Sequence, residues 1–191
     1  MRTNYLIAGL IGLTLTFSGC DKNDPDTKKA GDAVNDAAND VEDAVVNTVD
    51  KVKVKIDESF AKNVLDNNTE ELEWLRAGTK MGTDPELKAI AQRMIPDHEK
   101  LAKNIKAFAA QKDFHLDLDN DGVQIDSKTG ITWDKNWAEK IKKMHRDMVD
   151  KFERTQSNTE DKELKELVTN SLPMLRDHLN MAEKLEARFN K

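Results

Sequence analysis

Apolar residues recur at alternating steps of four and three positions in four long stretches of the chain. This spacing places them on one side of an α-helix, and such a helix is stable when that side packs against other helices. The stretches run from about Asp57 to Met81, from Pro85 to about Gln111, from about Trp133 to Gln156, and from Thr159 or Glu160 to Phe189. The sequence therefore predicts an all-α domain of four helices over residues 57–191.

The connections between these helices predict their arrangement. Gly82-Thr83-Asp84-Pro85 is a short turn in which Asp84 can cap the second helix and Pro85 can take its first position. A short turn also joins the last two helices, whereas the connection from Lys112 to Thr132 is long enough to cross the bundle. We therefore expect a ferritin-like four-helix bundle, in which one long crossover joins two antiparallel hairpins. A plain up-and-down bundle with a loose middle loop is the alternative.

The composition limits the kinds of partner. Charged residues make up 35% of the chain and aromatic residues 5%, which suits solvent-exposed helices better than a sheet. The net charge is -6, so nothing electrostatic favours binding to nucleic acid or lying flat on an anionic membrane. No particular protein partner is indicated.

The two predicted hairpins share a repeated pattern, which suggests that one hairpin was duplicated. The pattern consists of Asp84-Pro85-Glu86-Leu87-Lys88 and Met94-Ile95-Pro96-Asp97-His98 in the first hairpin, and of Asp161-Lys162-Glu163-Leu164-Lys165 and Met174-Leu175-Arg176-Asp177-His178 in the second. A duplicated hairpin again favours a ferritin-like bundle.

The apolar stripe of the first helix contains a charged residue. The stripe consists of Phe60, Val64, Asn67, Glu71, Trp74, Gly78 and Met81, widened by Ala61, Leu65, Leu72 and Leu75. A carboxylate is costly to bury without a partner, so Glu71 needs a positive or hydrogen-bonding neighbour.

Each of the other three helices carries a histidine on its stripe: His98, His145 and His178. Three neutral imidazoles and the Glu71 carboxylate, if they converge in the bundle, form a normal ligand set for zinc, iron or copper. These four residues are therefore candidate metal ligands, with the metal itself left open. The alternative is that the histidines are hydrogen-bonded core residues with a structural role.

Methionines accompany the histidines at helical spacing. Met94, Met148, Met174 and Met181 each lie three or four positions from one of the histidines, so they share a helix face with it. Thioether sulfur beside imidazole favours Cu(I) or Ag(I), which makes these methionines further candidate ligands. Packing in an apolar core is the alternative.

The sequence favours a binding protein over an enzyme. A di-iron site needs glutamate three positions before two of the histidines, but Ile95 and Leu175 stand there. Neither a nucleophile with its base nor a phosphate-binding glycine loop is visible.

The crossover contains a short acidic run. Asp117, Asp119 and Asp121, followed by Gly122, match the first half of an EF-hand loop. Lys128 stands where the bidentate glutamate should be, so calcium binding is disfavoured and a solvated acidic turn is expected.

The N-terminus predicts export and lipid attachment. Arg2 precedes an apolar run from Tyr5 to Phe17, too short to span a membrane, and Ser18-Gly19-Cys20 follows. This ending resembles a bacterial lipobox. Residues 1–19 are therefore expected to be a cleaved signal peptide and Cys20 an acylated first residue that anchors the protein to a membrane of the bacterial cell envelope. The alternative is an ordinary signal peptide with an incidental cysteine.

Residues 20–56 are expected to form an acidic spacer between the lipid and the bundle. The stretch contains no aromatic residue, and most residues on its helical stripe are small, so it buries little area. A marginal helix and plain disorder are both compatible with this composition.

The chain resembles a known bacterial family, domain of unknown function 4142. The resemblance rests on Glu71, on the segment Leu87 to Leu101 with Met94 and Asp97-His98, on the segment His145 to Glu153, and on Leu172-Pro173 with His178-Leu179. It covers about Ser59 to Leu185 and implies an exported, often lipidated protein with a ferritin-like fold and no assigned activity. By this resemblance the family's recurrent acidic residue falls on Glu71 and its three recurrent histidines on His98, His145 and His178. The chain departs from the pattern at Pro96 and in the acidic crossover.

Two functions are compatible with these features. The first is a membrane-anchored bundle that binds one transition-metal ion for storage, buffering or protection in the envelope, with the domain in the periplasm or at the cell surface. The second is an envelope module without metal, which acts through protein contacts or in stress physiology. Catalysis at a metal with an open coordination position ranks third.

Overall fold

The computed structural model describes residues 25–118 and 122–191, with side chains described from residue 40 onward except residue 43. Its helices are α1 (Pro25–Met81), α2 (Pro85–Gln111), α3 (Ile131–Asn158) and α4 (Lys162–Phe189), and these residues contain no strand. The chain divides into two units, Met1–Asp50 and Lys51–Lys191. The predicted signal peptide and Cys20 lie outside the described residues.

The helix ends follow from the residues at them. The predicted roles of Asp84 and Pro85 are confirmed, because the Asp84 side chain accepts hydrogen bonds from the backbone N–H groups of residues 86 and 87. Asp161 caps α4 through the backbone N–H of residue 164, so α4 begins two or three residues later than its pattern suggested. The two halves of the sequence repeat therefore begin their helices with the same device.

The first helix is longer than the apolar pattern predicted. A start near Asp57 is wrong, because α1 already begins at Pro25 and is continuous to Met81. Proline at a first helical position is favourable, since its missing N–H has no partner to lose there. Apolar side chains on this part of the helix are exposed, including Val41 at 63% and Ile56 at 62%. No helix in residues 25–118 and 122–191 is long and apolar enough to cross a membrane.

The contacts between helices within Lys51–Lys191 define the topology. Phe60 of α1 packs on Phe152 of α3 with ring centroids 5.3 Å apart, and Trp137 donates from Nε1 to the carbonyl oxygen of Trp74 at 2.7 Å. Residue numbers therefore fall along α3 as they rise along α1, so these two helices are antiparallel neighbours. Helix α4 pairs with α2 through Arg93–Asp177 and with α3 through Arg146–Glu183.

This pattern places α1 and α4 on opposite corners of the bundle, and α2 and α3 on the other two. Because α2 and α3 point the same way, the segment between them crosses the bundle, which is the ferritin-like arrangement. The predicted fold is therefore confirmed, and the up-and-down alternative is wrong.

The core of the bundle consists of two apolar clusters. The lower cluster is built around Leu65, Leu101, Phe152 and Leu175, and the upper cluster around Leu75, Leu87, Trp137 and Leu185. Each is densely apolar, and the residues between them are polar. This division sets the surroundings of the candidate site.

The buried face of α1 is rotated by about one position from the predicted stripe. Asn67 is exposed, whereas its neighbour Asn68 is fully buried, and Trp74 and Met81 are only half-buried. The predicted core position of Asn67 is therefore wrong. The buried face instead includes residues 61, 65, 72 and 75, which are apolar, whereas the predicted stripe contains the polar Asn67.

Helices α1 and α3 approach closely at Gly78. A Cβ atom at this position would lie 2.7 Å from the indole ring of Trp137, so only glycine fits without displacing that ring. The close approach allows the indole N–H to reach the carbonyl oxygen of Trp74.

A buried carboxylate fixes the turn between α1 and α2. Asp134, in the first turn of α3, accepts hydrogen bonds from the N–H groups of Thr83 at 3.0 Å and Asp84 at 2.9 Å, and from the Thr83 hydroxyl at 2.6 Å. Its side chain is fully buried. The position near a helix N-terminus further stabilises the charge.

We expect Asp134→Ala to lower the free energy of unfolding by about 2–3 kcal/mol, because hydrogen bonds to a charged group each contribute about 1.5–3 kcal/mol and part of the loss is recovered by water. Urea denaturation measures the change. Asp150→Ala is the matched control, since Asp150 is an exposed residue of the same helix; its effect should stay within about 0.5 kcal/mol. Equal effects of the two substitutions would contradict this role of Asp134.

Candidate metal centre

A layer of polar residues separates the two apolar clusters. It contains one residue from each helix, Glu71, His98, His145 and His178, each at most 1% exposed. The upper cluster closes one side of the layer and the lower cluster closes the other. We call these four residues the polar layer.

The three histidines meet at a single point. The Nε2 atom of His98 lies 3.2 Å from Nε2 of His145 and 3.3 Å from Nδ1 of His178. One nitrogen from each ring belongs to a group whose ligand atoms all lie within 4.8 Å of one another. A metal held at about 2.0–2.1 Å by three imidazoles requires these nitrogens to be about 3.3–3.5 Å apart. The observed spacings are thus close to those of a three-histidine site.

The outer nitrogen of His98 is held as a donor. Its Nδ1 lies 2.9 Å from Oδ1 of Asn68, while Nδ2 of Asn68 donates to the backbone carbonyl oxygen of His98 at 3.1 Å. Because that carbonyl can only accept, the amide orientation of Asn68 is fixed and its oxygen faces the ring. The Nδ1 atom therefore carries the hydrogen, and in the neutral ring Nε2 presents a lone pair to the centre.

The hydrogen positions of the other two rings also follow from their partners. Nδ1 of His145 donates to the carbonyl oxygen of Ile141 at 3.0 Å and lies 2.7 Å from Oε1 of Glu71. Nε2 of His178 donates to Oδ2 of Asp97 at 3.1 Å. Since both outer partners are acceptors, both outer nitrogens carry hydrogens, and the inner nitrogens of the neutral rings are bare.

The structure places Glu71 behind the imidazole rings, on the side away from their point of convergence. Its oxygens lie 2.7 Å from Nδ1 of His145 and 3.6 Å from Nδ1 of His98. Neither oxygen accepts a well-formed hydrogen bond from the described residues, because the N–H of His145 points at Ile141 instead. A sealed carboxylate of this kind is stable when a positive charge lies close to it.

The pKa shifts follow from this arrangement. Burial by itself would raise the pKa of Glu71, but the neighbouring His145 and His98 outweigh burial and lower it. Burial would lower the pKa of His145, whereas the Glu71 carboxylate raises it above its usual value. Burial lowers the pKa of His98, and burial together with the other two histidines lowers the pKa of His178 to about 4. These shifts favour the carboxylate form of Glu71 and the protonated form of His145, and they favour the neutral forms of His98 and His178.

The four candidate methionines lie on both sides of the polar layer. Met94 and Met148 are fully or almost fully buried, in the upper and lower cluster respectively. Met174 packs against the lower cluster and Met181 against the upper one, each partly buried. All four methionines therefore pack in or against the apolar clusters.

The acidic run that was a candidate calcium site lies in the crossover between α2 and α3, and the structure describes only part of it. Asp117 is exposed, and Asp119 and Asp121 lie outside the described residues. The fourth histidine, His115, is exposed in the same crossover.

The sequence pattern missed Asn68 and did not assign Asp97 to a ring. Asn68 lies three positions before Glu71, so the helical spacing contained a signal for it once the stripe was rotated by one position. Asp97 stands directly before His98 but contacts the ring of His178, on the neighbouring helix α4, and no local pattern indicates such a contact.

Comparisons with known proteins agree with the fold. Residues 28–185 match the family described as Domain of unknown function (DUF4142), so the chain belongs to that family. Its structure is similar to that of a protein solved as "CopM in the Cu(II)-bound form", with 18% identity and a TM-score of 0.58, covering 69% of this chain and 97% of that one. At this identity the similarity shows the fold alone. No curated protein matches the chain.

Proposed function

We propose that this member of the DUF4142 family binds one transition-metal ion through His98, His145 and His178. The observation that carries the proposal is the convergence of the three inner nitrogens: Nε2 of His98 lies 3.2 Å from that of His145 and 3.3 Å from Nδ1 of His178. Every outer nitrogen is held by an acceptor. Bare nitrogens at this spacing repel one another unless a proton or a cation lies among them. A metal ion would therefore replace the proton of the layer.

The charges around the histidines favour a divalent ion. Glu71 stands behind His145, and Asp97 stands behind His178, so two carboxylates contact the outer nitrogens of the proposed ligands. Carboxylate–histidine–metal arrangements of this kind orient the ring and make it a stronger donor. Asn68 holds the third ring through an amide oxygen.

Among the candidate metals we favour copper over zinc and iron. Imidazole ligands suit copper and zinc, and the three-histidine set lacks the carboxylate ligands typical of non-haem iron. The solved protein of similar fold is a Cu(II)-bound form, which supports copper for this chain as well. With apolar clusters on both sides, the proposed role is to hold the ion for storage, buffering or protection.

We expect the purified full chain to bind one equivalent of Cu(II) and to gain thermal stability from it. A His98→Ala/His178→Ala variant should bind more than about 100-fold more weakly, because it loses two of three ligands, whereas loss of an outer-sphere partner alone typically costs 10–100-fold. His115→Ala is the matched control, since His115 is exposed and lies in the crossover. Calorimetric titration and the metal-induced shift in Tm of each variant measure these effects.

The competing function has a different outcome. If the histidines are structural, the double substitution lowers the Tm while neither the wild-type chain nor the variants respond to Cu(II), Zn(II), Fe(II) or Mn(II). That result would contradict the proposed metal site.

We also propose that the protein acts in the bacterial cell envelope, attached to a membrane through Cys20. The support is the sequence Phe17-Ser18-Gly19-Cys20 after a short apolar run, in a chain with a single cysteine. Two or three acyl chains on such a residue anchor a protein firmly, at about 0.8 kcal/mol per buried CH₂.

We expect Cys20→Ser to abolish fatty-acid labelling and to move the protein from the membrane fraction to the soluble fraction when the chain is expressed in a bacterium. Fractionation after labelling with an alkyne fatty acid measures both effects. Asp21→Ser, at the neighbouring position, is the control and should leave labelling intact. Membrane attachment of Cys20→Ser at the wild-type level would contradict the lipid anchor.

A further inference from the structure

The polar layer is closed on most sides. Glu71 and Asn68 are fully buried, so the sides of the layer behind His145 and His98 do not reach solvent. The apolar clusters close the two ends. Ion pairs link neighbouring helices on all four faces of the bundle, including Arg93–Asp177 between α2 and α4, so the faces differ in the burial of the residues behind each histidine rather than in these pairs.

The side behind His178 differs. Asp97, which accepts the hydrogen bond from His178 Nε2, has a side chain that is 45% exposed. Asp97 also lines a cleft of about 510 Å³ between α2 and α4. Ser171 and Met174 line the same cleft, seven and four positions before His178, so they share a face of α4 with it. The cleft therefore leads from solvent to Asp97, whose carboxylate contacts the outer nitrogen of His178.

The charges in the cleft suit a cation. Asp97, Glu163 and Glu166 line it and carry negative charge, with Glu163 paired to Lys112, and Lys100 is the one basic residue among those that line it. Carboxylates in a cleft with low-dielectric walls raise the local concentration of cations and their rate of association. The thioether of Met174 adds a soft donor, and soft donors suit copper in particular.

We infer that the cleft between α2 and α4 is the route by which the metal ion reaches the three histidines, with Asp97 as the positioning residue at its inner end. The inference rests on the proposed metal site. Asp97 holds the His178 ring, and its carboxylate receives an ion that has come along the cleft. Lys100, beside it, opposes the arrival of positive charge.

The test compares two charge reversals at equal sequence distance from a proposed ligand. Lys100→Glu changes an exposed residue that lines the cleft, two positions after His98. Lys143→Glu changes an exposed residue two positions before His145, and Lys143 is not among the residues that line the cleft. Both are made in the full chain, and stopped-flow tryptophan fluorescence follows the binding of one equivalent of Cu(II), with His98→Ala/His178→Ala as the blank.

We expect Lys100→Glu to raise the association rate constant for Cu(II) roughly threefold to tenfold at low ionic strength, within the range of electrostatic steering. The gain should shrink at high salt, and Lys143→Glu should change the rate less than twofold. Equal acceleration by the two variants, or none by Lys100→Glu, would overturn the route while leaving the metal site intact. If the wild-type chain gives the same fluorescence trace as the His98→Ala/His178→Ala blank, it does not bind Cu(II), and both the metal site and the route would be overturned.

Discussion

The structure depends on a carboxylate sealed inside an apolar bundle. Glu71 is fully buried, and the groups that stabilise its charge are the imidazoles of His145 and His98. A buried charge without a counter-charge would cost several kcal/mol, which is a large part of the stability of a domain of this size. A positive charge close to Glu71, carried either by a proton on the histidines or by a metal ion among them, therefore stabilises the layer.

This interaction involves all four helices of the bundle. Each contributes one polar residue, and apolar clusters above and below exclude water, which strengthens every electrostatic interaction within the layer. The turn that Asp134 holds and the close contact at Gly78 fix α1 against α3, so that Glu71 and His145 meet. Contacts that stabilise the fold thus also position the residues of the site.

The two halves of the bundle differ in the contacts of one pair of equivalent residues. Asp97 and Asp177 stand directly before equivalent histidines, yet Asp97 contacts the ring of His178 while Asp177 pairs with Arg93 on the surface. The sequence repeat therefore supplies matching helix caps and matching histidines, and the different contacts of the two aspartates leave one side of the layer close to solvent. In our proposal that side is where the ion arrives.

The sequence predicted the helices of the bundle and the polar residues of the layer, because helical spacing determines which residues share a face. It could not predict which nitrogen of each ring points inward, since that depends on the partner of the outer nitrogen. Asn68, the partner of His98, lies one position away from the predicted stripe, and Asp97, the partner of His178, lies on another helix. For the same reason the pattern treated Glu71 as equivalent to the histidines, whereas the structure places it behind them. The extension of α1 to Pro25 was left open between a marginal helix and disorder, because the exposed valines on its helical stripe bury little area.

X-ray absorption spectroscopy of the full chain loaded with one equivalent of Cu(II) tests the central claim most directly. The account predicts three imidazole nitrogens at about 2.0–2.1 Å around the metal, with the multiple scattering that imidazole rings produce. A metal with fewer than three imidazoles in its first shell, or one dominated by thioether sulfur, would contradict a site built on His98, His145 and His178.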